Sequence, residues 1–521
     1  MSGMGTYPGV GAGTYPGFER GIGGYSGDGE LIGAGRLAGL WLYAGIRLEI
    51  IMKSFWMRPF ALLLALATLL TACGGGGGGS SSSTATPSGP TLTSITVAPA
   101  NAAVNVGTTQ QFTVTGTYSD GKSAAISSDI TWSTGNSSVA IIATSGLLTG
   151  KGVGTDIVTA KVGSVSGTAK VTVKGAYLTM AAGGAHSVAR LADGTLRAWG
   201  LNRSGQLGDG SSADRTTPTV VGTDKTWKDV AAGEFHTAAI KADGSLWTWG
   251  FNQNGQLGDG TTTDRATPVK VAVSGTWAAV AVGKGHTLAL KTDGTLWAWG
   301  RNFNGQLGDG TNTDRLVPTK IGVIVNWKSI SAGDTHSAAR RADGTIYTWG
   351  GNANGQLGAG STTDSNTPAK VGTSTWVSVL AGGSHTIAIR SDGALFAWGA
   401  NGNGQLGLED GLDVSVPTQV GSDTNWAAAS AGGAHTLALK SDGTLWAWGA
   451  NSDGQLGLGT QFDAFTPKQV GKASTWTILS AGKAHSLALQ ADNTLWAWGR
   501  GVEGQLGDGK AVSQTAPVQI P

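Results

Sequence analysis

Cysteine is almost missing. The chain of 521 residues holds one, Cys73, so no disulfide can form within it. Charge is scarce as well: 13% of residues are Asp, Glu, Lys or Arg, against a usual ~25%. A chain this poor in charge lacks the signature of general disorder. Lys plus Arg, at 35, nearly cancel Asp plus Glu, at 33, so there is no broad basic footprint for nucleic acid. No G-X-Y period runs through the 87 glycines, which excludes collagen. No apolar run is long enough to span a bilayer. The longest, Ala61–Leu70, is about half of the ~20 residues required. No helical period appears in the apolar residues. The length exceeds what one core supports and implies two or more domains.

What is present is unevenly placed. All seven histidines and 17 of the 20 tryptophans lie beyond residue 180. Residues 1–51 are Gly-rich, with Thr-Tyr-Pro-Gly at Thr6–Gly9 and again at Thr14–Gly17, and offer no apolar face for a core. The text then changes. Met52-Lys53-Ser54-Phe55-Trp56-Met57-Arg58 is basic, Ala61–Leu70 is apolar, and small residues precede Cys73. That order reads as a secretory signal over 52–72. Leu70-Thr71-Ala72-Cys73 resembles the lipobox of bacterial lipoproteins, which implies cleavage before Cys73 and lipidation of that residue. Gly74–Ser83 is a Gly/Ser run, and residues 73–90 read as a flexible tether. Gly74, in place of aspartate, is similar to lipoproteins sent to an outer membrane. A signal starting at Met52 implies that translation begins there and that 1–51 is an extension of the gene model.

Residues 91–174 carry short β-branched runs separated by Gly, Asn, Asp and Ser. They include Ile95–Val97, Gln111–Val114, Ile130–Trp132, Val139–Ile142, Ile157–Ala160 and Ala169–Val173. Turn signals every ~8–12 residues predict a β-sandwich. Thr117-Tyr118-Ser119-Asp120-Gly121 and Ser145–Gly150 resemble the bacterial immunoglobulin-like domain, group 2, a family of surface proteins. Without a disulfide, Trp132 and its aliphatic neighbours are expected to fill the core.

From 177 to 521 the chain repeats itself. Trp-Gly recurs at Trp199, Trp249, Trp299, Trp349, Trp398, Trp448 and Trp498, each followed by Gly-Gln-Leu-Gly and preceded by a histidine. In the second copy Trp227–Gly233, His236–Lys241, Ser245–Trp249 and Pro268–Val271 read as four strands. Asp243-Gly244 supplies a two-residue hairpin turn. Four strands in ~50 residues make a propeller blade. Ala-Gly-x-x-His, Asp-Gly-x-Leu-Trp-x-Trp-Gly and Asn-x-x-Gly-Gln-Leu-Gly resemble the regulator of chromosome condensation repeat. The fold class is therefore all-β: a seven-bladed propeller after an immunoglobulin-like sandwich. The last strand, 517–521, is expected to complete the first blade and close the ring.

No catalytic constellation emerges. Histidines found once per blade lie on a ring and cannot converge on one metal. They are read as structural, bonding backbone at a strand start. Asp-Gly-x-x-x-Asp at Asp209–Asp214, Asp259–Asp264 and Asp309–Asp314 could offer oxygens to calcium. The reading preferred is a solvated turn with its acids paired to Arg215, Arg265 and Arg315. No metal, cofactor or nucleic acid is expected, and the chain is read as a monomer.

The family resemblance implies two contrasting precedents. One member is a nuclear exchange factor for the GTPase Ran and depends on an inserted hairpin. Copies of 49–50 residues leave little room for that insertion. A secreted bacterial member binds and inhibits β-lactamases. The reading is thus a non-enzymatic, lipid-anchored cell-envelope propeller that binds a protein or other ligand. A glycan-binding or glycan-hydrolysing protein is the alternative, with Asp410 and Asp413 as the nearest pair of carboxylates. Binding is assigned to positions where the copies disagree: Glu234, Phe235, Lys284, Asp334 and Lys483 between Ala-Gly and His. Phe251, Arg301 and Phe303, in the Trp-Gly-x-Asn loops, form a second candidate set.

Overall fold

A computed structural model describes residues 89–521, and these contain strands and turns with no helix. The extension over 1–51, the signal, lipidation of Cys73 and nearly all of the tether lie outside the described residues.

The sandwich is built from three small sheets. Leu92–Ala98 pairs with Thr113–Tyr118, which pairs with Ser123–Ile126. Asn101–Asn105 runs parallel to Val165–Lys174, followed by Gly154–Val162 and Thr131–Thr134. Thr109–Gln111, Leu147–Gly150 and Ala140–Ile142 form the third sheet. The run expected as one strand, 111–114, changes sheets at Phe112. That ring is fully buried, whereas Trp132 is half-exposed and packs against its edge, with centroids 6.5 Å apart. Phe112 therefore takes the central place that the sequence suggested for Trp132.

Residues 177–520 form seven four-stranded antiparallel sheets. In the second blade the strands are Trp227–Ala232, His236–Lys241, Leu246–Gly250 and Arg265–Lys270. The first strand of every blade lines a central channel. Alanine and glycine dominate there (Ala181, Ala182, Ala231, Ala232, Gly233), because seven strands converge on the axis. Trp249 and its equivalents are wholly buried between blades. Trp247 instead stands edge-on to Trp227, and the Lys241 ammonium lies 3.9 Å from the Trp247 ring centroid, a cation–π contact.

The hairpin turn has three residues rather than two. Lys241 N–H donates to Ser245 O, and Gly244 N–H to Lys241 O, with Gly244 at φ +79°. This is a type I turn followed by a left-handed residue. Asp243 completes it by accepting from Ser245 N–H and Oγ at 2.8 and 2.6 Å.

The histidines bond side chains of the next blade, not local backbone. His236 Nε2 lies 3.0 Å from Thr287 Oγ1, and that hydroxyl donates to Gln256 O at 2.8 Å. Its only proton is spent on the carbonyl, so the hydroxyl must accept from Nε2–H. The imidazole is thereby fixed as the Nε2–H tautomer. The Trp299 indole N–H donates to the same Gln256 carbonyl at 2.9 Å. The pattern recurs at all seven junctions, ending with His485, Ser187 and Gln505 O. Each ring lies on the glycine three residues before it: a Cβ on Gly283 would come within 2.5 Å of His286 Cε1.

Closure differs from expectation. The strand Gln514–Ile520 pairs with Leu495–Gly499 of its own repeat, and the first blade is completed by Arg215–Val220. No strand is exchanged, so every blade is one continuous repeat. The first copy needed no borrowed strand, because each Pro-bearing strand belongs to the repeat it ends. The seam is joined by contacts alone. Lys483 N–H donates to Gly183 O at 3.1 Å, and Tyr177 N–H to Asn493 O at 3.2 Å. Tyr177, which replaces the usual tryptophan, donates its hydroxyl to Pro521 O at 2.7 Å. Burial pushes that phenol up to about 12.

Two outcomes follow. Deleting Gln514–Pro521 should accelerate amide exchange at 495–499, the newly exposed edge, while 196–200 stays protected; hydrogen-exchange mass spectrometry reads both. For the histidine links, His286→Ala and Ser337→Ala should each destabilise by ~1–3 kcal/mol, and the double variant by less than their sum. Burial pushes the seven imidazoles down to about 3 or 4. The folded state therefore holds them neutral, and their contribution is complete above an unfolded value of ~6.5 and lost as pH falls toward the folded values. Urea midpoints should be level from pH 7 to 9 and fall steadily below pH 6.

Candidate functional site

Strand direction sorts the loops into two faces. The hairpin turns and the blade-to-blade links lie on one. The first-to-second and third-to-fourth strand loops lie on the other. The turn face carries the sandwich: Asn105 Nδ2 donates to Asp492 O at 2.8 Å in the turn of the seventh blade, and Val153 packs against the cluster holding Tyr177 and Leu489. The opposite face is open.

At the centre of the open face the channel mouth encloses roughly 100 Å³, with Gly184, Glu234, Lys284, Asp334, Gly383, Gly433 and Lys483 around it. Glu234 is buried and pairs with Lys284 Nζ at 3.3 Å and with the Lys483 ammonium. This triad bridges the second, third and seventh blades. Burial, and then the Glu234 charge, push the Asp334 carboxyl above the usual carboxylate range. Glu234 is therefore a keystone of the mouth and offers little surface to a ligand.

The two candidate sets share one face. Phe251 N–H donates to Phe235 O at 2.9 Å, and the rings meet edge-on at 6.1 Å. Both rings are half-buried against each other, whereas Arg301 and Phe303 are exposed, Phe303 by 71%. They share it because antiparallel strands return the third-to-fourth loop to the side of the first-to-second loop.

The Gly-Gln-Leu-Gly loops are internally satisfied. Asn252 N–H donates to Asp264 Oδ1 at 2.8 Å, its Nδ2 reaches Thr261 O and Thr263 O, and its Oδ1 accepts from Leu257 N–H. Asp209, Asp259 and Asp309 pair with Arg215, Arg265 and Arg315 at 2.7–2.8 Å, as expected, but their carboxylates are buried and not solvated, and Asp214, Asp264 and Asp314 accept from asparagine backbone N–H groups instead. Burial raises the Asp209 carboxyl, but hydrogen bonds from Ser211 and Arg215 outweigh it and leave it low. Asp410 and Asp413 serve the same kind of loop. Asp413 accepts from Asn401 N–H and Asn354 Nδ2 at 2.8 Å each, and Asp410 accepts from Leu412 N–H at 3.1 Å. Among the described residues no group of three or more His, Cys, Asp or Glu is placed to hold a metal ion.

Residues not singled out from the sequence also stand on this face. Leu412 is 66% exposed and Phe462 82%. Their signal was the departure of the fifth and sixth loops from the Asp-Gly-x-x-x-Asp pattern.

Comparison with known proteins agrees with this architecture. Residues 226–521 match the RCC1-like domain, 179–206 and 193–240 match the regulator of chromosome condensation (RCC1) repeat, and 91–173 match the bacterial Ig-like domain, group 2. Human WBSCR16 superposes with a TM-score of 0.56 at 23% identity, covering 62% of this chain and 88% of that one. Yeast RCC1 (Prp20), solved bound to Kap60, gives 0.57 at 22%, covering 62% and 83%. These likenesses establish the fold. Ice-binding protein 1 of Shewanella frigidimarina is 43% identical over 88 residues in the Ig-like region, 17% of this chain. The chain matches only 10% of that protein's length. The Ig-like module and this relative point to an extracellular or surface protein. With more than half of its length matched, the chain belongs to the RCC1-like domain family.

Proposed function

We propose that this protein is a non-enzymatic binding module held at a bacterial cell envelope by a lipid on Cys73, presenting the open propeller face to a protein ligand. The observation that carries this reading is the division of labour between the faces. The sandwich, which follows Cys73 in sequence, covers part of the turn face and leaves the loop face uncovered. That face sets exposed side chains such as Arg301 and Phe303 on loops whose backbone groups are already satisfied. A rigid, pre-organised surface loses little freedom on binding, and exposed aromatics and arginines supply the usual hot spots.

The alternatives have less support. Asp410 and Asp413 are occupied as loop acceptors, which weakens a hydrolase built on them. Guanine-nucleotide exchange would need the family's inserted hairpin, and each described blade has four strands. Ice binding is not carried over, since the shared segment is a tenth of the named relative.

Two measurements test the proposal. Cys73→Ala should move the protein from the detergent phase to the aqueous phase, and intact mass of the parent should show an acylated N-terminal cysteine; an unmodified chain beginning at Met1 would overturn the anchor. Phe303→Ala and Arg301→Ala should each weaken a captured protein partner by ~1 kcal/mol or more with unchanged melting temperature. Binding that survives both, and survives blocking of the whole loop face, would refute the assignment.

A further inference from the structure

The third-to-fourth strand loops are not equivalent around the ring. In the first three blades each Asp of the Asp–Arg pair is neutralised by Arg215, Arg265 or Arg315. In the fourth, fifth and sixth blades the pair is lost at both ends: Ala359, Leu408 and Leu458 stand for the acid, and Ser365, Val414 and Ala464 for the arginine. The loops 351–364, 400–413 and 450–463 contain no Lys or Arg at all, yet hold Asp364, Glu409, Asp410, Asp413, Asp453 and Asp463. Asp364, Asp413 and Asp463 accept from asparagine backbone and side-chain N–H groups, as Asp214, Asp264 and Asp314 accept from asparagine in the first three blades; the added acids of this sector are Glu409, Asp410 and Asp453. Arg500 of the seventh blade pairs with Glu503 at 2.7 Å and with Asp453 at 3.8 Å.

Apolar side chains are exposed in this sector. Leu412, Val416, Phe462 and Phe465 are 66%, 48%, 82% and 37% exposed. The loops interlock across blades: Glu409 N–H donates to Phe465 O at 3.1 Å, and a Cβ on Gly411 would come within 2.9 Å of the Phe465 ring. The neighbouring first-to-second loops are small, Gly383-Ser384 and Gly433-Ala434, so nothing bulky stands between the patch and the channel mouth.

Exposed apolar side chains inside an acidic frame that holds no Lys or Arg of its own, and meets one cation, Arg500, at its edge, have a definite complement. We infer that the fourth to sixth blades form a docking sector for a protein whose contact surface sets Lys and Arg around apolar side chains. This rests on the binding role proposed for the open face and names its partner's chemistry. Apolar contact supplies affinity, and the acids set approach rate and exclude acidic surfaces.

The probe is an amphipathic peptide of alternating Lys and Leu, with a Glu and Leu peptide as its counterpart, titrated into the full chain at low and high salt. The Lys/Leu peptide should bind and weaken at least tenfold in high salt, and the Glu/Leu peptide should not bind. Glu409→Gln with Asp453→Asn should lower affinity severalfold and flatten the salt dependence. Leu412→Ser with Phe462→Ser should lower affinity at both salt concentrations. Val323→Ser, exposed on the turn face, should leave it unchanged. Equal binding of both peptides, or indifference to the sector variants, overturns the inference. If Phe235→Ala or Arg301→Ala abolishes binding while the sector variants do not, the open face still binds but not here. If no loop-face variant matters, the binding role of the face falls as well.

Discussion

One three-way junction holds the ring: a histidine N–H to a hydroxyl, that hydroxyl to a glutamine carbonyl, and a tryptophan N–H to the same carbonyl. Every member is buried, so each polar group would be costly if left alone. The bonds also run between blades, where antiparallel sheets present faces and no ladder. Backbone bonds such as Glu234 N–H to Gly283 O and Gly210 N–H to Ala266 O also cross the junctions near the loops, but along the sheet faces mainly apolar contact would remain, which is strong but fixes no register. The junction sets the angle between wedges. It also accounts for local composition. The imidazole lies against a glycine of the inner strand, and Trp299 Nε1 would be 2.7 Å from a Cβ on Gly258. Much of the glycine excess is thus the space that histidine and tryptophan occupy.

The outer edges meet a different constraint. The fourth strand of each blade is paired on one side only, and an open edge invites pairing with another chain. Its pairing is interrupted: Thr248 faces Val269, Gly250 faces Arg265, and Ala266 to Pro268 fall in the gap. Proline there removes a donor from an edge that could otherwise template aggregation. The same interruption turns the start of the strand toward the preceding blade, so that Phe465 covers Gly404 and Gly411. A device that blunts an edge therefore also builds part of the loop face.

The repeat made most of this legible. Strand order, turn position and the burial of Trp249 follow from a period of ~50 with alternation inside it, because packing returns the same residue to each framework position. What escaped was relational. Nothing local to His236 reveals that its partner is Thr287, since both recur once per copy and any pairing of copies has the same period. The seam was misread for a similar reason: a strand at the end of each copy can complete its own blade or the next, and the sequence is the same in either case. Phe112 was overlooked because a sheet change interrupts the alternation that marks a strand. In the binding face, Phe235 and Phe303 were visible as departures from the repeat, but the buried Lys284–Glu234–Lys483 triad was not, because it joins three blades.

Strand exchange would have tied the first repeat to the last. Here blade and repeat coincide, and each junction is made by the same set of residues: histidine, serine or threonine, glutamine and tryptophan. Unequal crossing-over in the gene would therefore insert or remove an intact wedge, with compatible partners already waiting at each new neighbour. The number of copies is then limited by curvature and not by chemistry, and a binding sector spread over three blades could be shifted around the ring, or duplicated, without redesigning the frame that carries it.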